Sequence, residues 1–171
     1  SQRISSLSCG YLRTCNDRRL WFTRSLTVTD FKMLTLTLQR EYGYVILVGV
    51  GSTFVNIWHQ SLVGKARKQY DIKYPTMYSD KNMVFNCIQR AHQNYLENYA
   101  QFLFLLFAGS LEHPIVGAAA GAVYLAGRVC YALGYSTGDP AKRYRGAFQH
   151  LGLLTLLGTT IKLGVHMLGY F

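Results

Sequence analysis

Charged side chains are scarce in this 171-residue chain, and acidic ones are the scarcest. They make up 15% of the residues, well below the roughly 25% of an ordinary soluble domain. Asp and Glu number 8 against 18 Lys and Arg, which gives a formal net charge of +10. The charges are also clustered, so long stretches contain none. This shortage argues against a soluble globular protein and favours apolar segments that lie in a lipid bilayer.

The sequence lacks the cysteine pattern of a zinc site and the mixed basic and aromatic stretches of a nucleic-acid surface. The 4 cysteines form no CxxC pair and have no histidine at zinc-ligand spacing. Cys87 and Cys130 lie in apolar runs, where a small buried side chain is the expected role. No stretch interleaves Lys or Arg with aromatic residues as a nucleic-acid surface would. We therefore expect no metal site and no nucleic-acid partner.

Apolar residues make up half of the chain, and they gather into four runs. The runs cover residues 44–63, 83–109, 114–135 and 146–168. Each is near or above the ~20 residues that cross a bilayer as a helix, and strict strand-like alternation is absent. The sequence therefore predicts an all-α integral membrane protein, a four-helix bundle formed by a domain at residues 33–171.

Basic residues mark two of the three connections between these runs. One group follows the first run, and the other precedes the fourth: Lys65, Arg67, Lys68, Lys73 and Lys81, then Lys142, Arg143 and Arg145. With four spans, both connections face the same side, which the positive-inside rule makes cytosolic. The Ser-, Thr- and Arg-rich residues 1–32 would then lie on the wrong side. We expect them to be a leader or non-native extension, disordered or absent from the mature protein, with a transit peptide as the alternative.

The second run carries polar residues that a bilayer disfavours. A charge at the centre of a membrane helix costs about 2.5–3.5 kcal/mol on insertion scales. Arg90, Asn94 and Glu97 are spaced i, i+4 and i+7, which places them on one helical face, with Gln93 beside them. One alternative is a helix contact in which Arg90 and Glu97 simply neutralise each other. The amount of polarity favours a functional site instead.

A second polar row lies on the third run, where Arg128, Tyr131 and Tyr135 also share one face. Both rows lie toward the ends of their spans that adjoin the basic loops. We therefore predict that they line one cationic cleft at the cytosolic boundary. Arginine pairs bidentately with carboxylates, so a small carboxylate-bearing anion is the expected ligand. The apolar flanks would admit a lipid-soluble second substrate.

The segment from Phe85 to Glu97, FNCIQRAHQNYLE, resembles the second-span motif of the MAPEG family, the membrane-associated proteins in eicosanoid and glutathione metabolism. Shorter similar pieces include Lys65–Lys68, Gly127–Val129 and Gly134–Pro140. The resemblance covers about residues 38–168. Within the family, the motif is most similar to the microsomal glutathione S-transferase branch.

This resemblance implies homotrimers of four-helix protomers in the endoplasmic reticulum membrane, or alternatively the outer mitochondrial membrane. It implies glutathione as co-substrate, bound between neighbouring subunits. Carried over by position, the glutathione-binding residues would be Arg90, Gln93, Asn94, Glu97, Arg128, Tyr131 and Tyr135, with Arg67 from the neighbouring subunit. The expected activity is conjugation of glutathione to lipophilic electrophiles, reduction of lipid hydroperoxides, or both.

Thiol activation in this family is assigned to an arginine at the start of the last span. Arg143 and Arg145 are the candidates for this catalytic role, and spacing from Tyr135 favours Arg143. Lys68, Asn98 and Ala100 depart from the leukotriene-C4 synthase pattern and weaken that activity as an expectation. The alternative function is a non-enzymatic membrane protein that binds lipid and presents fatty acids to a lipoxygenase-like partner. The set of arginines that this chain contains favours the enzyme.

Overall fold

The computed structural model describes residues 38–170, which contain helices and no strand. Its four α-helices are α1 (Tyr42–Gln69), α2 (Met83–Gly109), α3 (Pro114–Tyr135) and α4 (Gln149–Met167). A 3-10 helix, η1, spans Pro140–Gly146 between α3 and α4. The predicted leader, residues 1–32, falls outside the described residues.

The bounds of α2 and α3 coincide with the second and third apolar runs. The side chain of Asn82 caps the start of α2, where its Oδ1 accepts a hydrogen bond from the backbone N–H of Phe85 at 2.9 Å. Pro114 opens α3, a position that needs no backbone N–H. Local capping chemistry therefore places both helix starts where the apolar pattern begins.

The bounds of α1 and α4 differ from the runs predicted for them. α1 continues past residue 63 to Gln69, and its last turn contains Arg67 and Lys68, whose charges are favourable near a helix C-terminus. α4 starts at Gln149, three residues later than the run at 146–168. The reason is η1, which Asp139 caps by accepting a hydrogen bond from the backbone N–H of Ala141 at 3.0 Å.

Neighbouring helices along the chain run in opposite directions. The hydroxyl of Tyr42, at the start of α1, donates to the carbonyl of Phe107, near the end of α2, at 2.7 Å. Lys162 Nζ, near the end of α4, donates to His113 Nε2 in the α2–α3 turn at 2.6 Å. The connections 70–82 and 136–148 therefore lie together at one end of the molecule. We call it the basic end, because it gathers the two Lys- and Arg-rich connections.

A close contact between α3 and α4 positions the candidate site. A Cβ atom added at Gly127 would lie 2.6 Å from Cβ of Gln149 and 2.8 Å from its backbone nitrogen. Only glycine lets the two backbones approach this closely, as small residues do at helix interfaces in membranes. The contact holds the first residue of α4 beside the α3 residue that follows Gly127, which is Arg128.

The outer surfaces of α1 and α4 are strongly apolar. Exposed side chains include Leu47 and Phe54 on α1 and Leu151 and Ile161 on α4. Soluble monomers rarely expose apolar patches larger than a few hundred Å², so lipid or other subunits are expected to cover these faces. By length and composition, α1 and α3 are apolar enough to cross a membrane. α2 and α4, which carry more polar residues, do not meet the same test, so four spans, a four-helix bundle and a homotrimer stay predictions.

A candidate anion-binding site at the basic end

A cavity of about 290 Å³ lies where α2, α3, η1 and the start of α4 meet. Its polar wall contains two arginines, three amides and a histidine: Asn94, Asn98, Arg128, Arg143, Gln149 and His150. Tyr124, Tyr131 and Leu153 contribute aromatic and apolar surface. We call this space the arginine cavity. It combines two positive charges with no carboxylate among its lining residues, an arrangement suited to an anion.

Arg128 is the most unusual residue of the cavity wall, because its side chain is only 2% exposed. Its Nη1 donates to Asn94 Oδ1 at 2.8 Å and, over a longer 3.4 Å, to Gln149 Oε1. Nε and Nη2 are buried without a hydrogen-bond partner among residues 38–170. None of the ion pairs formed by those residues includes Arg128. A buried cation without a counter-charge is costly. A bound anion would supply that counter-charge, so Arg128 should attract one strongly.

Two aromatic rings fix the orientation of Arg128. The guanidinium carbon lies 5.1 Å from the ring centroid of Tyr131 and 5.3 Å from that of Tyr95, within cation–π range. Tyr95 is itself held by α1, because its hydroxyl donates to the carbonyl of Ser52 at 2.8 Å. The Tyr95 ring also stacks on the buried ring of His59, with centroids 5.0 Å apart. Ser52 and His59 on α1 therefore hold Tyr95, which in turn contacts Arg128 in the cavity wall.

Arg143 reaches the same cavity from η1. Its guanidinium lies 5.3 Å from the ring of Tyr144 and 6.0 Å from the ring of Tyr135. Its interaction with the Tyr144 side chain raises the pKa of Arg143 above its ordinary value, and an arginine is charged throughout the physiological range. Arg145, the other predicted catalytic residue, is exposed and does not line the cavity. The structure thus brings Arg143 and Arg128 to one space and leaves Arg145 out of it.

The predicted row on α2 divides between two environments. Asn94 lines the cavity, whereas Arg90 and Glu97 do not. Arg90 Nη1 instead pairs with Glu97 Oε1 at 2.8 Å, and the two side chains are 44% and 43% exposed. Within one chain, this is the mutual neutralisation that the sequence left open as an alternative. A glutathione-binding role for either residue stays a prediction.

The other predicted binding residues also have distinct places. Tyr135 is buried beside Tyr131, and the two rings meet edge to face with centroids 5.6 Å apart. Gln93 is half-buried and does not line the cavity. Arg67 is 7% exposed, with its guanidinium 4.2 Å from the ring of Tyr74. In its own chain, Arg67 is therefore enclosed by aromatic side chains at the end of α1 rather than by the arginine cavity.

Seven cavity residues were not expected from the sequence: Asn98, Tyr124, Tyr144, Ala147, Gln149, His150 and Leu153. Asn98 lies one turn after Asn94, so the same helical spacing would have found it. Gln149 and His150 are adjacent polar residues inside the predicted fourth span. Polar side chains are costly in a membrane span, so this pair is a signal of the same kind as the polar row on α2. Residues 38–170 contain no group of three or more His, Cys, Asp or Glu side chains that could hold a metal ion.

Comparison with known protein families matches residues 45–165 to the MAPEG family. The chain belongs to the MAPEG family. The resemblance seen in residues 85–97 is thereby confirmed, and membership agrees with the apolar outer faces of α1 and α4. The matched segment contains every residue that lines the arginine cavity.

Two curated relatives are similar to the chain over much of its length. They are microsomal glutathione S-transferase 2 of Mus musculus and microsomal glutathione S-transferase 2 of Homo sapiens. Each is 36% identical over 104 residues, which cover 60% of this chain and 69% of the relative.

Proposed function

We propose that this MAPEG protein is a glutathione transferase of the membrane, which activates the glutathione thiol for attack on lipophilic electrophiles. The observation that carries the proposal is the meeting of Arg128 and Arg143 in one cavity of about 290 Å³. Family membership and the similarity to two microsomal glutathione S-transferases support it. Glutathione has two carboxylates and a net negative charge, so it matches the charge of this site.

Binding would rest on Arg128 and its neighbours. A charge-assisted hydrogen bond or ion contact to an arginine contributes about 1.5–3 kcal/mol. The burial of Arg128 strengthens its field, because the surrounding protein screens less than water. Tyr131 adds a hydroxyl group and a ring that orient a peptide-like ligand. The proposed role of these residues is to hold glutathione with its sulfur near η1.

Activation would rest on Arg143. A thiol is a weak nucleophile, and its ordinary pKa near 8.5 leaves little thiolate at pH 7. A positive charge within about 4–6 Å lowers such a pKa by about 1–3 units. Arg143 keeps its charge throughout the physiological range. The thiolate then forms a C–S bond with the electrophilic carbon, and the displaced electron pair leaves with the leaving group or moves onto the substrate.

The second substrate is proposed to reach the site from the bilayer, along the apolar surfaces of α1 and α4. Reduction of a lipid hydroperoxide by the same thiolate is a proposed further activity. Leukotriene-C4 synthesis is a weaker proposal, because Lys68 replaces an arginine and cannot supply its fork of donors. Asn98, another departure from the synthase pattern, lines the cavity itself.

The assembly is proposed to be a homotrimer in the endoplasmic reticulum membrane, with the outer mitochondrial membrane as the alternative. In this arrangement Arg67, Arg90, Gln93 and Glu97, which do not line the cavity of their own chain, would serve glutathione bound at a subunit boundary. The exposed apolar face of α1 supports such an assembly, because a neighbouring subunit would cover it.

Two measurements on the purified protein in detergent test the proposal. Equilibrium dialysis should show glutathione binding, and ultraviolet difference spectra should show the absorbance of a bound thiolate at pH 7. Absence of both would contradict the proposed function. Fatty-acid binding without either signal would favour the non-enzymatic lipid carrier. Assays with a halogenated aromatic compound, a lipid hydroperoxide and an epoxy fatty acid would then identify the second substrate.

A further inference from the structure

Gln149 occupies a position that its residue type alone does not explain. It is the first residue of α4, and its side chain is 5% exposed. Its Oε1 lies 3.4 Å from Nη1 of Arg128. The close contact at Gly127 holds the backbone and Cβ of Gln149 against α3, since even one added carbon at Gly127 would collide with them. The fold therefore places an uncharged amide beside a buried arginine.

A carboxylate would be the usual partner for a buried arginine. Removing one partner of a buried ion pair costs about 3–5 kcal/mol, so such cations are normally paired. Arg128 instead receives two neutral amide oxygens, from Asn94 on α2 and from Gln149 on α4. Amide oxygens orient the guanidinium without cancelling its charge. The positive charge in the cavity wall thus stays available to a ligand.

We propose that Gln149 is a positioning residue that, with Asn94, holds Arg128 in the cavity wall without neutralising it and thereby sets the affinity for the anionic co-substrate. The inference rests on the proposed function in taking that co-substrate to be glutathione. Its structural part, an arginine whose hydrogen-bond acceptors among residues 38–170 are amide oxygens, is independent of the ligand. The two parts can therefore be tested separately.

The decisive variant is Gln149→Glu, which keeps the size of the side chain and adds one carboxylate beside Arg128. We expect the dissociation constant for glutathione to rise at least about tenfold, the size of effect of one charge-assisted contact. The turnover number at saturating glutathione should change less than about threefold, because Arg143 is untouched. Gln69→Glu, which adds the same charge at the exposed end of α1, is the matched control and should bind as the wild type does.

Thermal unfolding of the same variants separates positioning from structural damage. In Gln149→Glu the introduced carboxylate would meet an unneutralised cation, so the melting temperature should equal or exceed that of the wild type. A fall of several degrees would mean that the carboxylate is buried without a partner, and would overturn the claim that Arg128 is unneutralised. Unchanged glutathione affinity in Gln149→Glu would overturn the claim that Gln149 sets affinity.

Failure of the proposed function would look different. If the wild type binds no glutathione, the transferase proposal fails, and the melting temperature of Gln149→Glu still decides the structural part. If the wild type binds glutathione and Gln149→Glu binds it as tightly as the control Gln69→Glu does, the transferase proposal stands and this inference fails.

Discussion

The exposed face of α2 and the cavity beside it hold arginines in opposite electrical situations. Arg90 is 44% exposed and pairs with Glu97 at 2.8 Å, so its charge is largely neutralised within the chain. Arg128 is almost fully buried and meets only amides and aromatic rings. An exposed pair of this kind contributes about 0–1 kcal/mol, whereas a buried unpaired cation acts strongly on any nearby anion. The difference teaches that partner and burial, rather than residue type, distinguish the arginine available to a ligand.

The largest expected effect separates Arg143, in the cavity wall, from Arg145, outside it. Replacing Arg143 with Ala should lower turnover at pH 7 about 25-fold, because loss of the adjacent charge raises the thiol pKa by about two units, from about 6.5 back to its ordinary 8.5, and so reduces the thiolate fraction. Glutathione binding should be largely retained. Arg145→Ala, the matched control, should change turnover less than about threefold. Steady-state kinetics and the thiolate absorbance measure both.

The reverse result would reassign the catalytic charge. If Arg145→Ala abolished turnover and Arg143→Ala did not, membership of the cavity wall would be no guide to catalysis. The expected difference in catalytic role between Arg143 in the cavity wall and Arg145 on the surface would then be wrong.

A second pair of variants compares a glycine beside the cavity with one in open space. Gly127→Ala would force Gln149 and the start of α4 away from α3, and overpacking of this kind costs about 1–3 kcal/mol. Glutathione affinity should fall with it, because Arg128 loses an amide. Gly158→Ala lies on α4 with nothing within 4 Å of the added carbon. It should be neutral or stabilise by up to about 1 kcal/mol, as thermal melts would show.

The exposed pair on α2 gives a smaller effect on stability. Arg90→Ala, Glu97→Ala and the double variant form a cycle whose coupling in unfolding free energy should be below about 1 kcal/mol. Glutathione titration of the same three proteins sharpens the comparison. Loss of binding in the single variants, without loss of stability, would support a role for this pair at a subunit boundary. Unchanged binding would restrict the site to the arginine cavity.

The smallest effect is expected at the opposite end, where Glu112 pairs with His166. The hydrogen bond from His166 holds the pKa of Glu112 below its ordinary value. Because the folded-state pKa is depressed, the pair stabilises the protein above the ordinary pKa of about 4.3, and this contribution is lost as pH falls through the depressed value. Glu112→Gln should lower the melting temperature by about 1 °C or less at pH 5.5, with the difference vanishing toward pH 3. Glutathione binding should not change.

The sequence predicted the helices best where local chemistry agreed with the apolar pattern. α2 and α3 begin at a capping asparagine and at a proline, and both follow their apolar runs throughout. The start of α4 was placed too early, because a run of apolar residues cannot reveal that Asp139 and Pro140 begin a separate 3-10 helix. Boundaries set by capping side chains were thus predictable, and those set by a short intervening helix were not.

The site was predicted in part for a similar reason. Helical spacing and family resemblance identified Asn94, Arg128, Tyr131 and Arg143, and the structure brings these four into one cavity. Spacing could not show that Arg90 and Glu97 meet each other, because an i, i+7 row suits a shared ligand and an internal pair equally well. Gln149 escaped notice because its neighbour, Arg128, is 21 residues away in the chain and is brought near by the contact at Gly127.

The buried charge of Arg128 also links the amount of folded protein to its ligand. A ligand that binds only the folded state stabilises it by about 2.7 kcal/mol when present at 100 times its dissociation constant. Shifts of 1–2 kcal/mol change protein abundance several-fold in cells, since unfolded chains are degraded. An anion that pairs with Arg128 would thus stabilise the folded protein. Depletion of the co-substrate would then reduce both the reaction and the supply of the catalyst.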